Sequence, residues 1–210
     1  MDSNLNNGFE LLLKQYSGRK HPLDYSNRYQ LLVMVVLSAQ DSDRHINEVA
    51  KFLFEAFPTM DDLAKASVDE IQRLISSVRN FGSKAIWLSK ISAIVGTDSK
   101  IPHSMKELTG LPGIGRKSAN VIIRESSDEA EGIIVDLHVL RVAPRIGIAV
   151  GDKPEKIEKQ LMGIFPRREW NEIGMALSFL GREVCRPTNP KCETCVLHNV
   201  CKYNNAPSAL

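Results

Sequence analysis

The sequence predicts an all-α fold. Apolar residues recur at helical spacing along most of the chain, and alternating strand patterns are scarce. Glycine and proline punctuate the periodic segments. Pairs of capping residues, Ser67 with Glu70 and Ser104 with Glu107, have the three-residue spacing that opens a helix. The 210 residues are 43% hydrophobic and 25% charged, an ordinary globular composition with enough chain to bury a core. That apolar content excludes disorder as the dominant state.

The elements follow in order. Residues 29–39, YQLLVMVVLSA, are apolar almost all round, as in a buried helix, with Ser26 or Asn27 as its cap. The apolar run from Leu31 to Leu37 falls far short of the ~20 residues that a membrane span needs. Thr59 and Ser67 open short helices, and behind Ser67 one face is marked by Val68, Ile71, Leu74, Ile75 and Val78. Ser83 is placed as the cap of a helix running to Gly96, with Ile86, Ile91 and Ile94 on its apolar face. Ser104 opens a short helix ending near Gly110, and segments 116–125, 137–147, 154–165 and 169–184 continue the helical pattern. The one strand-like run, Gly132 to Val135, is too short to build a sheet. The polar tail after Tyr203 is expected to fray. The opening MDSNLNNGFE has no basic n-region, so no secretion signal is expected. Together these features imply a cytoplasmic protein, nucleoid-associated if bacterial, with no membrane partner.

The net charge of +2 is unevenly spread. Residues 1–140 hold 16 Lys and Arg against 18 Asp and Glu, whereas residues 141–210 hold 11 against 7. A basic C-terminal third permits a polyanionic partner, although charge alone favours a solvated face.

Four motifs carry chemistry. The first is Leu111-Pro112-Gly113-Ile114-Gly115-Arg116-Lys117, lying between two helical segments. Two glycines in a tight turn deliver exposed N–H groups at a helix N-terminus, which suits a phosphate. This is a helix-hairpin-helix element, which grips a nucleic-acid backbone without reading bases. The second is Lys117 itself. Near a helix N-terminus the positive dipole end disfavours the ammonium form, which makes the lysine a candidate amine nucleophile. The third is Asp136, which ends an apolar run just before a helix. An N-cap role accounts for it, and a second carboxylate oxygen remains for a cleft. The fourth is Cys185, Cys192, Cys195 and Cys201, the only cysteines in the chain. Four thiolates on one compact loop suit a metal site better than a disulfide scaffold, and chemistry alone leaves zinc and an iron–sulfur cluster open.

Taken together, LPGIGRKSANVI, the VDLHVLRV segment around Asp136, LSAQDSD at 37–43 and the C-x6-C-x2-C-x5-C loop resemble the endonuclease III family of helix-hairpin-helix DNA glycosylases. The resemblance runs from about residue 25 to 203. It implies two helical domains flanking a DNA cleft: a six-helix barrel with the helix-hairpin-helix at 25–130, and an iron–sulfur cluster domain from 1–24 and 131–210. It implies a [4Fe-4S] cluster on the four cysteines. It places Lys117 at the family's Schiff-base lysine and Asp136 at its catalytic aspartate, so a bifunctional enzyme is expected that removes a damaged base and then cleaves the strand. The implied partner is double-stranded DNA with a damaged base or abasic site. A monomer is expected, since one subunit suffices for the chemistry.

The resemblance further implies DNA contacts for Gln40, Asn80, Gly113, Gly115, Arg116 and Lys191, with Gln40 filling the gap left by a flipped nucleotide. His138 is expected to support Asp136, Arg186 accompanies Lys191 on the cluster loop, and Arg141 and Arg145 are left between phosphate and local carboxylates. Three departures bear on substrate range. Lys117 and Asp136 stand nineteen apart, one more than close relatives imply. Leu137 replaces a usual threonine. Asn80 occupies the place of an apolar wedge, where a polar residue suits hydrogen bonding to the opposite strand instead. Oxidised pyrimidines are the default substrate, with alkylated or mismatched bases as alternatives. A monofunctional glycosylase and a non-catalytic DNA-binding protein are the competing readings.

Overall fold

The computed structural model describes residues 3–205. Its helices are α1 (Ser3–Tyr16), α2 (Arg28–Leu37), α3 (Asp43–Ala56), α4 (Met60–Lys65), α5 (Val68–Leu74), α6 (Phe81–Val95), α7 (Met105–Thr109), α8 (Arg116–Glu125), α9 (Leu137–Ile146), α10 (Pro154–Ile164) and α11 (Trp170–Glu183). Among the described residues there is no strand, and no helix is long and apolar enough to cross a membrane. The all-α expectation holds. The chain divides into two compact units, Lys20–Glu129 and Met1–Arg19 with Ala130–Leu210.

In the Lys20–Glu129 unit α2 is the central helix. Leu31 to Leu37 are buried throughout, and α3, α6 and α8 pack against it. Its cap is Asn27, whose side chain accepts from the Gln30 N–H at 2.9 Å. Thr59 caps α4 as predicted, and Ser67 with Glu70 forms the reciprocal capping box of α5. Ser104 caps α7. The sequence reading passed over α3, although Ile46, Val49, Ala50 and Leu53 carry a helical stripe behind the cap Ser42.

The reading of α6 needs correction. The helix starts at Phe81 rather than behind Ser83, and the residue at its N-cap position is Asn80, in the left-handed conformation. Ile86 and Ile94 are exposed; of the three isoleucines assigned to the apolar face, only Ile91 is buried. The buried stripe is Lys84, Ala85, Leu88, Ile91, Ser92 and Val95. The helix is apolar on most sides, so hydrophobic periodicity does not specify its inner face, and a lysine is the last residue such a pattern places inside.

In the other unit α11 packs on both α9 and α1. The sequence reading did not single out α1, whose Phe9, Leu12 and Tyr16 are buried. Phe9 meets the Phe165 ring edge-on at 4.9 Å, and Tyr16 stacks on Phe179 at 5.8 Å. The run 132–135 is buried without forming a strand, and the Ile133 N–H donates to the buried Glu158 carboxylate at 3.2 Å. Gly174 makes this packing possible. A Cβ there would lie 2.8 Å from both the N and the O of Ile134, so only glycine lets α11 approach that backbone. The tail is tied down as far as it is described: the Lys202 and Tyr203 N–H groups donate to the carbonyls of Ile146 and Arg145, and the Asn205 N–H to that of Cys201. The expected fraying beyond Asn205 lies outside the described residues.

Candidate functional site

The hairpin between α7 and α8 is anchored by Leu111 and Ile114, each 5% exposed, with the Ile114 N–H donating to the Leu111 carbonyl at 3.2 Å. Gly113 is required twice over. Its φ is +76°, and an added Cβ would fall 2.7 Å from Cδ2 of Trp87. Trp87, from α6, therefore forms the floor of the hairpin, a contact the sequence reading missed because nothing local links the two positions. Gly115 differs. Its φ of −89° is ordinary and an added Cβ would meet nothing within 4 Å. Gly113, Gly115, Arg116 and Lys117 are all exposed, and Arg116 and Lys117 open α8. The hairpin thus turns backbone N–H groups and two basic side chains outward at a helix N-terminus.

In the same unit Gln40 and Asn80 lie side by side. Both are exposed, with φ of 60° and 58°, and Asn80 Nδ2 lies 3.5 Å from Gln40 Oε1. The loops that carry them are joined by Asp41, whose carboxylate accepts from the Arg79 N–H at 2.9 Å. Burial pushes Asp41 up, but the Arg79 N–H, the His45 imidazole and the Ser42 N–H outweigh it and hold the carboxyl at about 2.

Asp136, in the other unit, is the N-cap of α9. Its Oδ1 accepts from the N–H groups of His138 and Val139 at 2.8 and 2.9 Å. Its Oδ2 accepts from Ser178 Oγ at 2.6 Å, and Arg182 Nη2 stands 3.8 Å away. Both oxygens are therefore engaged, the second by residues one turn apart on α11. Neither Ser178 nor Arg182 was singled out in the sequence, where only their i, i+4 spacing was visible. Leu137 follows with 80% of its surface exposed. His138 Nδ1 lies 3.3 Å from Arg141 Nη2.

Arg141 and Arg145 donate to backbone carbonyls rather than to local carboxylates. Arg141 donates to the carbonyls of Gly181 and Cys185, and Arg145 to those of Arg186 and Pro187 at 2.7 and 3.0 Å. Both guanidiniums shape the chain around the first cysteine. Arg186 and Lys191, further along that loop, are exposed. Cys185, Cys192, Cys195 and Cys201 line one cavity together with Ile146, Leu180, Val184 and Leu197. Burial pushes the Cys192 and Cys195 thiols up, and neighbouring thiols of the set push the same way. Among the described residues no three of His, Cys, Asp and Glu converge as ligands of one ion.

These features coincide with a family. The model of the HhH-GPD superfamily of base excision DNA repair proteins matches residues 33–167, and the chain belongs to that family. Endonuclease III of Rickettsia felis is 38% identical over 206 residues, which are 97% of this chain and 96% of that protein. The Bacillus subtilis endonuclease III is 36% identical over 183 residues, 86% of this chain and 83% of its own length. A solved structure described as a trapped endonuclease III–DNA covalent intermediate, in an estranged-adenine complex, superimposes with a TM-score of 0.86 at 32% identity, covering 97% of this chain and 98% of its own.

Proposed function

We propose that this chain is a bifunctional DNA glycosylase and abasic-site lyase of base excision repair, acting as a monomer on double-stranded DNA. The observation that carries the reading is the exposed Lys117, second residue of α8, immediately behind the hairpin. The damaged nucleotide leaves the stack, and Lys117 Nζ attacks C1′. The glycosidic C1′–N bond breaks, and the base departs with the electron pair and gains a proton. The amine loses a proton and the sugar ring opens to a Schiff base. Loss of the C2′ proton then breaks the C3′–O bond and releases the 3′ phosphate. Water hydrolyses the Schiff base and returns the lysine.

Asp136 supplies a fixed negative charge to the positive charge growing on the deoxyribose. Two N–H groups and the Ser178 hydroxyl hold the carboxylate, so little reorganisation accompanies the reaction. The amides of Gly113 to Gly115, with Arg116, take a phosphate. Gln40 and Asn80 meet the strand at the vacated position, and Lys191 contacts phosphate. Relatives named endonuclease III, one of them trapped covalently on DNA, support this chemistry. Oxidised pyrimidines are the substrate class, and the location is cytoplasmic, nucleoid-associated if the source is bacterial.

The donor set fits a [4Fe-4S] cluster held by Cys185, Cys192, Cys195 and Cys201. Four sulfurs line one cavity together with the apolar side chains of Ile146, Leu180, Val184 and Leu197. When bound, such a cluster supplies a redox-active centre. The chain's own contribution is the loop 186–191, which presents Arg186 and Lys191. The test of the function is borohydride trapping on a duplex carrying thymine glycol. A covalent adduct is expected that Lys117→Ala abolishes. Absence of an adduct on both thymine glycol and abasic duplexes would overturn the lyase assignment.

A further inference from the structure

The first helix, α1, carries a buried glycine, Gly8, near its middle. Glycine is among the poorest residues for a helix interior, so its presence there calls for a steric reason. Close approach supplies one. A Cβ at Gly8 would stand 3.0 Å from Leu197 Cδ2 and 3.4 Å from Val200 Cγ2. Both of those residues lie between Cys195 and Cys201. Leu197 is fully buried, and it also lines the cavity that the four cysteines share. One leucine thus touches α1 on one side and the cysteine cavity on the other. The rest of the buried side of α1 faces elsewhere: Phe9 meets Phe165, and Tyr16 stacks on Phe179 of α11. The helix is therefore held between α11 and the turn His198–Val200.

The surface that receives α1 has little regular structure of its own. From Cys192 to Cys201 the chain makes two single turns, Cys192–Thr194 and His198–Val200. Its backbone bonds run between near neighbours: Cys195 N–H to the Cys192 carbonyl at 3.1 Å, His198 N–H to that of Cys195 at 2.9 Å, and Val200 N–H to that of Leu197 at 3.1 Å. Three of the four cysteines lie on this segment, and the fourth, Cys185, closes the end of α11. Where a site is not preformed, ligation and the folding of the segment that carries it are one event. Coupling of this kind is reciprocal. Whatever holds the loop in shape also favours the docking of α1, and docking of α1 favours what the loop holds.

We propose that α1 is a seal on the cysteine site: docked through Gly8, it slows the loss of iron, and it stays docked only while the loop holds its cluster. This rests on the cluster reading above. Gly8 is the positioning residue, because it sets how closely α1 meets Leu197 and Val200.

The test measures two rates on the loaded protein: iron transfer to bathophenanthroline disulfonate under anaerobic conditions, and trypsin cleavage after Lys14, an exposed residue of α1. Gly8→Leu overfills the contact and should raise both rates about tenfold. Gly8→Ala asks Leu197 to yield only a few tenths of an ångström, and it should keep both rates within about twofold of the unaltered protein. Gly113→Ala is the control, because it disturbs the hairpin of the other unit. Iron release from it as fast as from Gly8→Leu would mark a general loss of stability and overturn the inference. An unchanged iron rate in Gly8→Leu overturns it as well. Should Gly8→Leu fail to fold, the unaltered protein decides. Stripping its iron should raise cleavage after Lys14 about tenfold, and equal cleavage of the loaded and stripped forms overturns the seal. Protein purified anaerobically without iron overturns the cluster reading itself, and the inference with it.

Discussion

Replacing the two hairpin glycines one at a time separates the fold of the hairpin from its use. Gly113→Ala places an L residue at φ +76° and drives a Cβ into the Trp87 ring. The left-handed backbone costs about 1 kcal/mol, and overpacking adds about 1–3 kcal/mol. A loss of about 3 kcal/mol lowers Tm by roughly 6–12 °C in a chain of this size. Gly115→Ala meets neither penalty, since φ is −89° and no atom lies within 4 Å of the added Cβ. Its stability should change by less than about 1 kcal/mol, because the gain through the unfolded chain is offset by alanine's poorer fit at the N-cap of α8. The new methyl, however, stands on the surface assigned to a phosphate, and affinity for an abasic-analogue duplex should fall about tenfold. Circular dichroism melting and anisotropy titration read the two effects separately. A Gly113→Ala protein that melts with the unaltered one would refute the steric argument. A Gly115→Ala protein that binds DNA normally would remove the hairpin from the phosphate contact.

Asp136→Asn should keep the cap of α9, because asparagine caps about as well as aspartate, and yet cut turnover by orders of magnitude; Asp136→Ala should add a stability loss of about 1 kcal/mol, and single-turnover rates with melting curves check both. DNA affinity should fall linearly on a log–log plot against salt, with a slope of about −0.9 per phosphate contacted, and a flat response would contradict backbone gripping. Asp41, held at about 2 in the folded chain against 3.8 ordinarily, contributes stability that is fully present above pH 3.8 and is lost as pH falls toward 2. Urea unfolding at stepped pH should therefore show a steeper acid loss in the unaltered protein than in Asp41→Asn. Anaerobically purified protein should be yellow-brown with about four irons per chain, and Cys195→Ser should lower both colour and iron, whereas a colourless zinc-containing preparation would redirect the cysteines to another metal.

Local chemistry was legible in the sequence, and tertiary chemistry was not. The Ser67–Glu70 box was readable because both halves lie within one turn. Ser83 misled because a serine beside an apolar run looks like a cap, whereas Asn80 starts the helix through its backbone conformation without a side-chain capping bond. Gly113 announced a turn, but its second constraint comes from Trp87, 26 positions earlier. Asp136 was readable as a cap, but the hydroxyl on its other oxygen belongs to Ser178, on a different helix. Lys84 was invisible for a simpler reason. A buried ammonium satisfied by two carbonyls carries no hydropathy signature, and the carbonyls it serves are backbone atoms that any sequence would supply. The fold class survives such gaps because it rests on the sum of many helical stripes, while a site rests on a few long-range contacts.

The approach of α11 to the Ile134 backbone at Gly174 makes one helix the ruler against which the carboxylate of Asp136 is set. Among the described residues the 132–135 run has no partner strand to fix its height, so the level at which Asp136 emerges is dictated by the missing side chain at 174 and trimmed by Ser178 one turn later on the same face. A side chain at position 174 is therefore excluded for a reason unrelated to reactivity. A residue with no side chain to offer any reaction is tied to the same fate as the aspartate two positions beyond the backbone it touches.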